Sequence, residues 1–297
     1  MFPLSLDDFD VQDNTNPRLF LVYASICRLL GDIVEGCLRP QQQSGHHAIL
    51  ENALYRWVKQ DIRCVIGSTS GQYSLEVRQI LVTYFANLII LDRSPASDGV
   101  PSARSFMASS FISGIYKEFM ANDELCHLGP AFTFYALCAG LVLIPAIQFP
   151  VLRDTASEEL QVLTDSLQIL SRQWGSAFGA LRALKKLGSD TKHQLLRQDP
   201  IPVLKDDMVP FFEDFSPFLC RLWDFFLSTS DLTVTASPQM PGNTNIDAVS
   251  SSIDPGPTAE AESESFQGVD LWDWEGIGFD WSGSWLLEDT LAQLNGF

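Results

Sequence analysis

Apolar residues recur at steps of three and four over most of the first 230 positions. Phe20, Tyr23, Ile26, Cys27, Leu30, Ile33, Val34 and Cys37 fall on one stripe of a helix, with Arg28, Asp32 and Glu35 largely outside it. A helix is therefore predicted from Pro17, with Asn14 or Asn16 as its cap and Pro17 tolerated in the first turn. Gln41 to His47 is polar, follows Pro40 and contains Gly45, which predicts a loop before a second helix over Ile49 to Val65. Gly67-Ser-Thr-Ser-Gly71 breaks the pattern, Leu75 to Leu91 resumes it, and Ser94-Pro95-Ala-Ser-Asp-Gly99 ends it with turn chemistry. Further helices are predicted at Ser102 to Met120, Pro130 to Ile144, Glu158 to Leu187 and Pro217 to Leu227. Alternating strand patterns are scarce, so the expected fold class is all-α, a multi-helix array.

The pattern stops after Ser228. Ser, Thr, Pro, Gly and Asn dominate up to Ser265, with few large side chains to bury, and this predicts a disordered linker. From Phe266 the chain changes again. Trp272, Trp274, Phe279, Trp281, Trp285, Leu286, Leu287, Leu291, Leu294 and Phe297 are interleaved with Asp270, Asp273, Glu275, Asp280, Glu288 and Asp289. Four regions result: an acidic lead-in over 1–16, a helical body over 17–230, a linker over 231–265, and an acidic aromatic tail over 266–297.

Charge sharpens this division. The chain has 297 residues, 46% of them apolar, enough for a sizeable core. Its 37 acidic and 19 basic side chains leave a formal charge of −18, and 12 of the acids with none of the bases lie from Asp231 onward. A chain that grips phosphate backbones unaided carries an excess of Lys and Arg, so sequence-specific DNA binding by this chain alone is not expected. Lys185-Lys186 is the only Lys-Lys pair; with Arg182 and Lys192 it forms a small basic patch, read as a solvated helix face.

Candidate chemistry is sparse. Cys27, Cys37, Cys64, Cys126, Cys138 and Cys220 form no C-x-x-C pair and have no His at ligand spacing, so no zinc site is expected. Cys27, Cys37 and Cys138 fall in apolar helical patterns, where reduced thiols pack as small hydrophobes. His46-His47 reads as a solvated loop pair, and Gly67-Ser68-Thr69-Ser70-Gly71 as a turn, since Thr69 stands where a nucleophile elbow needs Ser. No G-x-G-x-x-G or P-loop is present, and Asp61, Asp92 and Asp123 are isolated rather than paired as a helical isoprenoid-type catalyst requires. Neither catalytic residues nor cofactors are expected. The start of the chain is acidic where an export signal is basic, and the uncharged stretch Leu125 to Leu152 is interrupted by Pro130, Pro145 and Pro150, so no membrane span is expected.

The tail is the clearest functional feature. Carboxylates keep its rings and leucines from collapsing on one another, yet these side chains can bury in a partner's groove. Leu287, Leu291 and Leu294 stand at i, i+4 and i+7, so a short helix beginning near Ser284 would present them together. Trp272, Trp274, Phe279, Trp281, Trp285, Leu287, Leu291 and Leu294 are the expected partner-binding residues. The competing reading is that the tail docks on its own body or serves solubility.

In the body, Leu4-Ser-Leu-Asp-Asp-Phe-Asp-Val11, the helix Pro17 to Leu30 with Cys27-Arg-Leu-Leu-Gly31, and Leu54-Tyr-Arg-Trp57 stand in order. Tyr84 through Pro95 with Leu91-Asp-Arg-Ser-Pro95, Ser109-Ser-Phe-Ile-Ser-Gly-Ile115, Pro130 to Ile144, and Leu167-Gln-Ile-Leu-Ser-Arg-Gln-Trp-Gly-Ser-Ala177 follow. As an ordered set over residues 4 to 190 they resemble the middle homology region of fungal zinc-cluster transcription factors, most like the cutinase-regulator group. The six-cysteine zinc cluster, basic linker and dimerising coil of that family do not appear in this sequence, and Ser94 is inserted before Pro95.

The resemblance implies a nuclear transcription regulator without catalytic residues. It would work through a coactivator or the general transcription machinery and through homo- or hetero-dimers with zinc-cluster regulators, with Trp57, Tyr84 and Trp174 in the core. The alternatives are an inhibitor or scaffold that pairs with a full-length relative, a helical small-molecule enzyme, and a membrane-associated protein.

Overall fold

The structure, a computed structural model, describes residues 17–38, 43–66, 73–92, 100–192 and 200–232. Among these residues there are helices and turns and no strand, in agreement with the all-α expectation. The helices are α1 (Pro17–Leu38), α2 (Gln43–Trp57), α3 (Arg63–Ile66), α4 (Leu75–Leu91), α5 (Ala103–Ala121), α6 (Ala131–Ala146), α7 (Arg153–Leu170), α8 (Gly175–Lys192) and α9 (Trp223–Leu232).

Helices α4, α5 and α6 form the interior. Each is buried on nearly all sides, the pattern of a helix surrounded by others rather than one facing water, and α4 and α5 bury polar side chains among the apolar ones. Helices α1 and α2 cover α4, while α7 and α8 cover α6. Two starts are set by capping serines: Ser74 Oγ accepts from the Val77 amide and Ser102 Oγ from the Ser105 amide. The end of α5 is set by Asp123, the non-glycine residue with positive φ (55°) among those described, which lets the Glu124 amide reach the Phe119 carbonyl at 2.9 Å. Pro145 lies in the last turn of α6, where it has no amide to donate to the Leu141 carbonyl, and the helix nevertheless runs to Ala146 rather than stopping at Ile144. At 16 residues α6 is too short to span a bilayer, and no helix among the described residues is long and apolar enough to cross a membrane.

Several expectations need correction. Residues 43–47 are not a loop but the first turns of α2, where His47 Nε2 lies 3.1 Å from the Leu91 carbonyl at the end of α4. A tertiary hydrogen bond thus outweighs weak local propensity. The single helix expected over Glu158 to Leu187 is two antiparallel neighbours, α7 and α8, split at residues 171–174. There the Trp174 indole Nε1 donates to the Leu128 carbonyl at 2.9 Å, which anchors the turn. Pro217 to Leu227 is a 3₁₀ turn (Pro217–Leu219) followed by α9. Cys37 is exposed and Cys27 half-buried, whereas Cys138 packs inside as expected. Phe20 of the α1 stripe is half exposed, and the face that α1 buries deepest is Val22, Ile26 and Ile33. Trp57 and Tyr84 are core residues, but Trp174 is only half-buried.

Residues 200–232 cross the bundle on the α5 side. Phe211, Phe212, Phe215, Leu219, Leu222 and Phe226 insert into the interior, where Phe85, Phe111 and Phe212 stack nearly parallel. Gly114 permits this approach: a Cβ there would lie 2.0 Å from the Leu219 carbonyl oxygen.

Candidate functional site

The eight tail residues expected to bind a partner, Trp272, Trp274, Phe279, Trp281, Trp285, Leu287, Leu291 and Leu294, lie outside the described residues, as do the Asn14 and Asn16 caps, the Gly67 to Gly71 turn and the helix expected near Ser284. What the structure brings together in the body is a set of polar anchors that hold residues 200–232 in place.

Arg104 of α5 is the most enclosed cation of the set. Its guanidinium donates to Asp92 and Glu51, its Nη1 lies 3.2 Å from the Met208 sulfur, and its centre stands 5.5 Å from the Phe211 ring. Burial opposes its charge, but the Asp92 and Glu51 carboxylates outweigh burial and hold the group firmly protonated. Nearby, Lys59 Nζ lies 2.6 Å from Glu213 and 2.7 Å from Asp214, and Arg63 lies 2.6 Å from Asp214. Lys59 belongs to a widened π turn, Val58–Ile62, which turns Val58 and Ile62 inward while aiming Lys59 at the crossing segment. Burial would raise the Asp214 pKa, but hydrogen bonds from Arg63 and Lys59 bring it below its ordinary value. Tyr84 OH donates to the Phe211 carbonyl at 2.9 Å, and Tyr73 OH accepts from the Ser216 amide at 3.0 Å.

A second anchor sits deeper. Glu159 of α7 is buried, accepts a 2.5 Å hydrogen bond from Ser110 Oγ, and has no partner for its other carboxylate oxygen, Oε2. Ser113 Oγ donates to the Glu159 carbonyl, and the Leu222 amide reaches Ser110 Oγ at 3.4 Å. Burial pushes the Glu159 carboxyl up to about 7, only partly opposed by Ser110 and by Arg221, which pairs with Glu158 at 2.5 Å. Cys220 lies beside this group, and burial raises its thiol to about 12.

Ser, Glu and Cys side by side resemble the parts of a nucleophilic site, but the geometry serves packing. Ser110 and Glu159 are buried and burial raises the Cys220 thiol, so the three groups join α5, α7 and the segment around Leu222 inside the body. Sequence reasoning missed this node because Ser110 and Glu159 are 49 positions apart and neither stands in a motif. Its one sequence signal is weak: Ser109, Ser110 and Ser113 interrupt an otherwise apolar helix. Asp92 and Asp123, isolated in sequence, prove to be an ion-pair partner of Arg104 and a helix terminator. No group of three or more His, Cys, Asp or Glu side chains among the described residues is placed to hold a metal ion.

Outside the core, α8 is two-faced. Ala177, Ala180, Leu181 and Leu184 are buried, and Leu184 fills the notch left by Gly140 of α6. The opposite face carries Phe178, 62% exposed, with Arg182, Lys185 and Lys186 exposed beside it, as the sequence reading expected of the basic patch. No protein-family model, curated protein or solved structure matches this chain.

Proposed function

We infer that the chain is a nuclear transcription regulator, an all-α body of the fungal zinc-cluster middle-region kind that acts through its acidic aromatic tail on a coactivator or the general transcription machinery. One observation carries this reading: a Trp- and Leu-rich segment studded with carboxylates, residues 266–297, joined by a Ser/Thr/Pro/Gly-rich stretch to a helical body. The ordered sequence resemblance over residues 4 to 190 supports it. Contact with DNA is then indirect, through a dimer partner that carries a reader, because the chain's charge opposes unaided binding.

The test is a fusion of residues 266–297 to an unrelated DNA-binding domain, which should activate a reporter. Replacing Trp272, Trp274, Trp281 and Trp285 together by Ala should abolish the activity, while Asp273→Asn alone should weaken it only mildly. A buried Trp contributes up to a few kcal/mol, against at most about 1 kcal/mol for an exposed charge. A silent fusion, or a four-Trp variant as active as its parent at equal protein level, refutes the reading.

A further inference from the structure

Helix α8 presents to solvent a stripe unlike the surface expected of an acidic protein. Gly175, Phe178, Gly179, Arg182, Lys185 and Lys186 succeed one another at helical spacing on the side turned away from α6 and α7. All six are exposed. A Cβ built on Gly175 or Gly179 meets nothing within 4 Å, so the helix backbone itself is open to close approach next to the Phe178 ring. The three cations also differ from the enclosed ones. Lys59, Arg78 and Arg104 each face a carboxylate, as do the exposed Arg63 and Arg221, whereas Arg182, Lys185 and Lys186 form no ion pair among the described residues.

The geometry points to this stripe as the docking face for the chain's own acidic aromatic tail, residues 266–297. The chemistries are complementary. The tail offers Trp272, Trp274, Trp281 and Trp285 with Asp270 before them, Asp273, Glu275 and Asp280 between them, and no cation. The stripe offers a ring, an open glycine shelf on which an indole can lie flat, and cations that meet both carboxylates and aromatic faces. The remainder of the chain before the tail is itself net acidic, so its general field repels the tail and leaves a local basic face as the place that attracts it.

The chain length also fits. Residues 233–265 join α9 to the tail, and a flexible chain of that length has a root-mean-square reach of roughly 30 Å. That is comparable to the ~17 Å radius of gyration expected of a body this size and to the length of α8, about 27 Å. Tethering of this kind places the tail near the stripe at an effective concentration in the millimolar range, so weak contacts suffice. The docked tail would be withheld from a coactivator and released when one competes, a consequence that rests on the activator reading above, although docking itself does not.

Hydrogen exchange of the full-length chain tests the docking. Peptides from 266–297 should be protected in the wild type and should exchange at least about tenfold faster in R182E/K185E/K186E, while peptides from α4 and α5 keep their protection. Reversing the tail charges in the same chain, with Asp273→Lys, Glu275→Lys and Asp280→Lys, should restore protection. If the triple variant disturbs the body, Gly179→Glu serves instead, since it adds a carboxylate where the structure leaves open space and favours the helix. A wild-type tail that exchanges as fast as a free peptide, or protection indifferent to both variants, overturns the proposal and leaves the stripe to a separate acidic partner. A reporter assay on the full chain separates the two readings. If exchange responds to the variants but no variant activates, docking stands and the activator reading falls.

Discussion

Helices α6 and α8 lie against each other, yet they are built on opposite rules. Helix α6 is apolar around its whole circumference, α4, α5, α7 and α8 all pack on it, and Gly140 takes the Leu184 side chain from α8. Helix α8 buries one side only and turns a ring and three cations outward. The same contrast holds for phenylalanine. Phe85 of α4 is fully buried, 4.5 Å from the Phe111 ring, while Phe178 of α8 is mostly in water. An exposed Phe contributes little to folding, whereas the interior rings are accounted for by stability alone.

The sharpest way to break this contrast is to truncate both rings. Phe85→Ala should cost about 3–5 kcal/mol in chemical denaturation, through lost transfer energy and the cavity left among Phe111, Phe212 and Phe215. Phe178→Ala should change stability by no more than about 0.5 kcal/mol. Comparable losses for the two would mean that Phe178 is a packing residue and would remove the case for the stripe.

Glu159 gives a smaller effect with a pH signature. The native carboxyl holds its proton up to about pH 7, whereas the unfolded one releases it near its ordinary value of 4.5. Stability from the protonated group is therefore fully present below about 4.5, declines as pH rises through about 7, and is lost above it. Glu159→Gln keeps the shape without the titration. The variant should be more stable than wild type at pH 8 by roughly 2–3 kcal/mol, with the difference vanishing at pH 4. A difference independent of pH would mean that the carboxyl is ionised in the native state.

The smallest effect belongs to the turn after α5. Asp123 adopts φ 55°, a region that costs an ordinary residue roughly 1 kcal/mol and glycine almost nothing. Aspartate tolerates this region better than most residues and glycine is freer in the unfolded chain, so Asp123→Gly should change the melting temperature by no more than about two degrees, and a larger drop would show that the Asp123 side chain supports the turn.

Much of the helical body was legible because a period of 3.6 needs no knowledge of neighbours. Leu75 to Leu91 was read with both ends as α4 has them, and Ser102 marks the start of α5 through a cap whose chemistry is local. The exposed basic patch around Lys185 likewise follows from composition. What sequence could not place were features decided across long separations. The start of α2 depends on a contact between His47 and the end of α4, and the break between α7 and α8 on Trp174 reaching Leu128. The Glu159 node depends on three segments meeting where only their backbones' paths bring them together, and its raised carboxyl is a product of that enclosure. Local pattern determines which residues can form a helix and which side of it prefers water. Only tertiary packing decides which polar groups are deprived of water, and a group's protonation, reactivity and availability to partners follow from that deprivation.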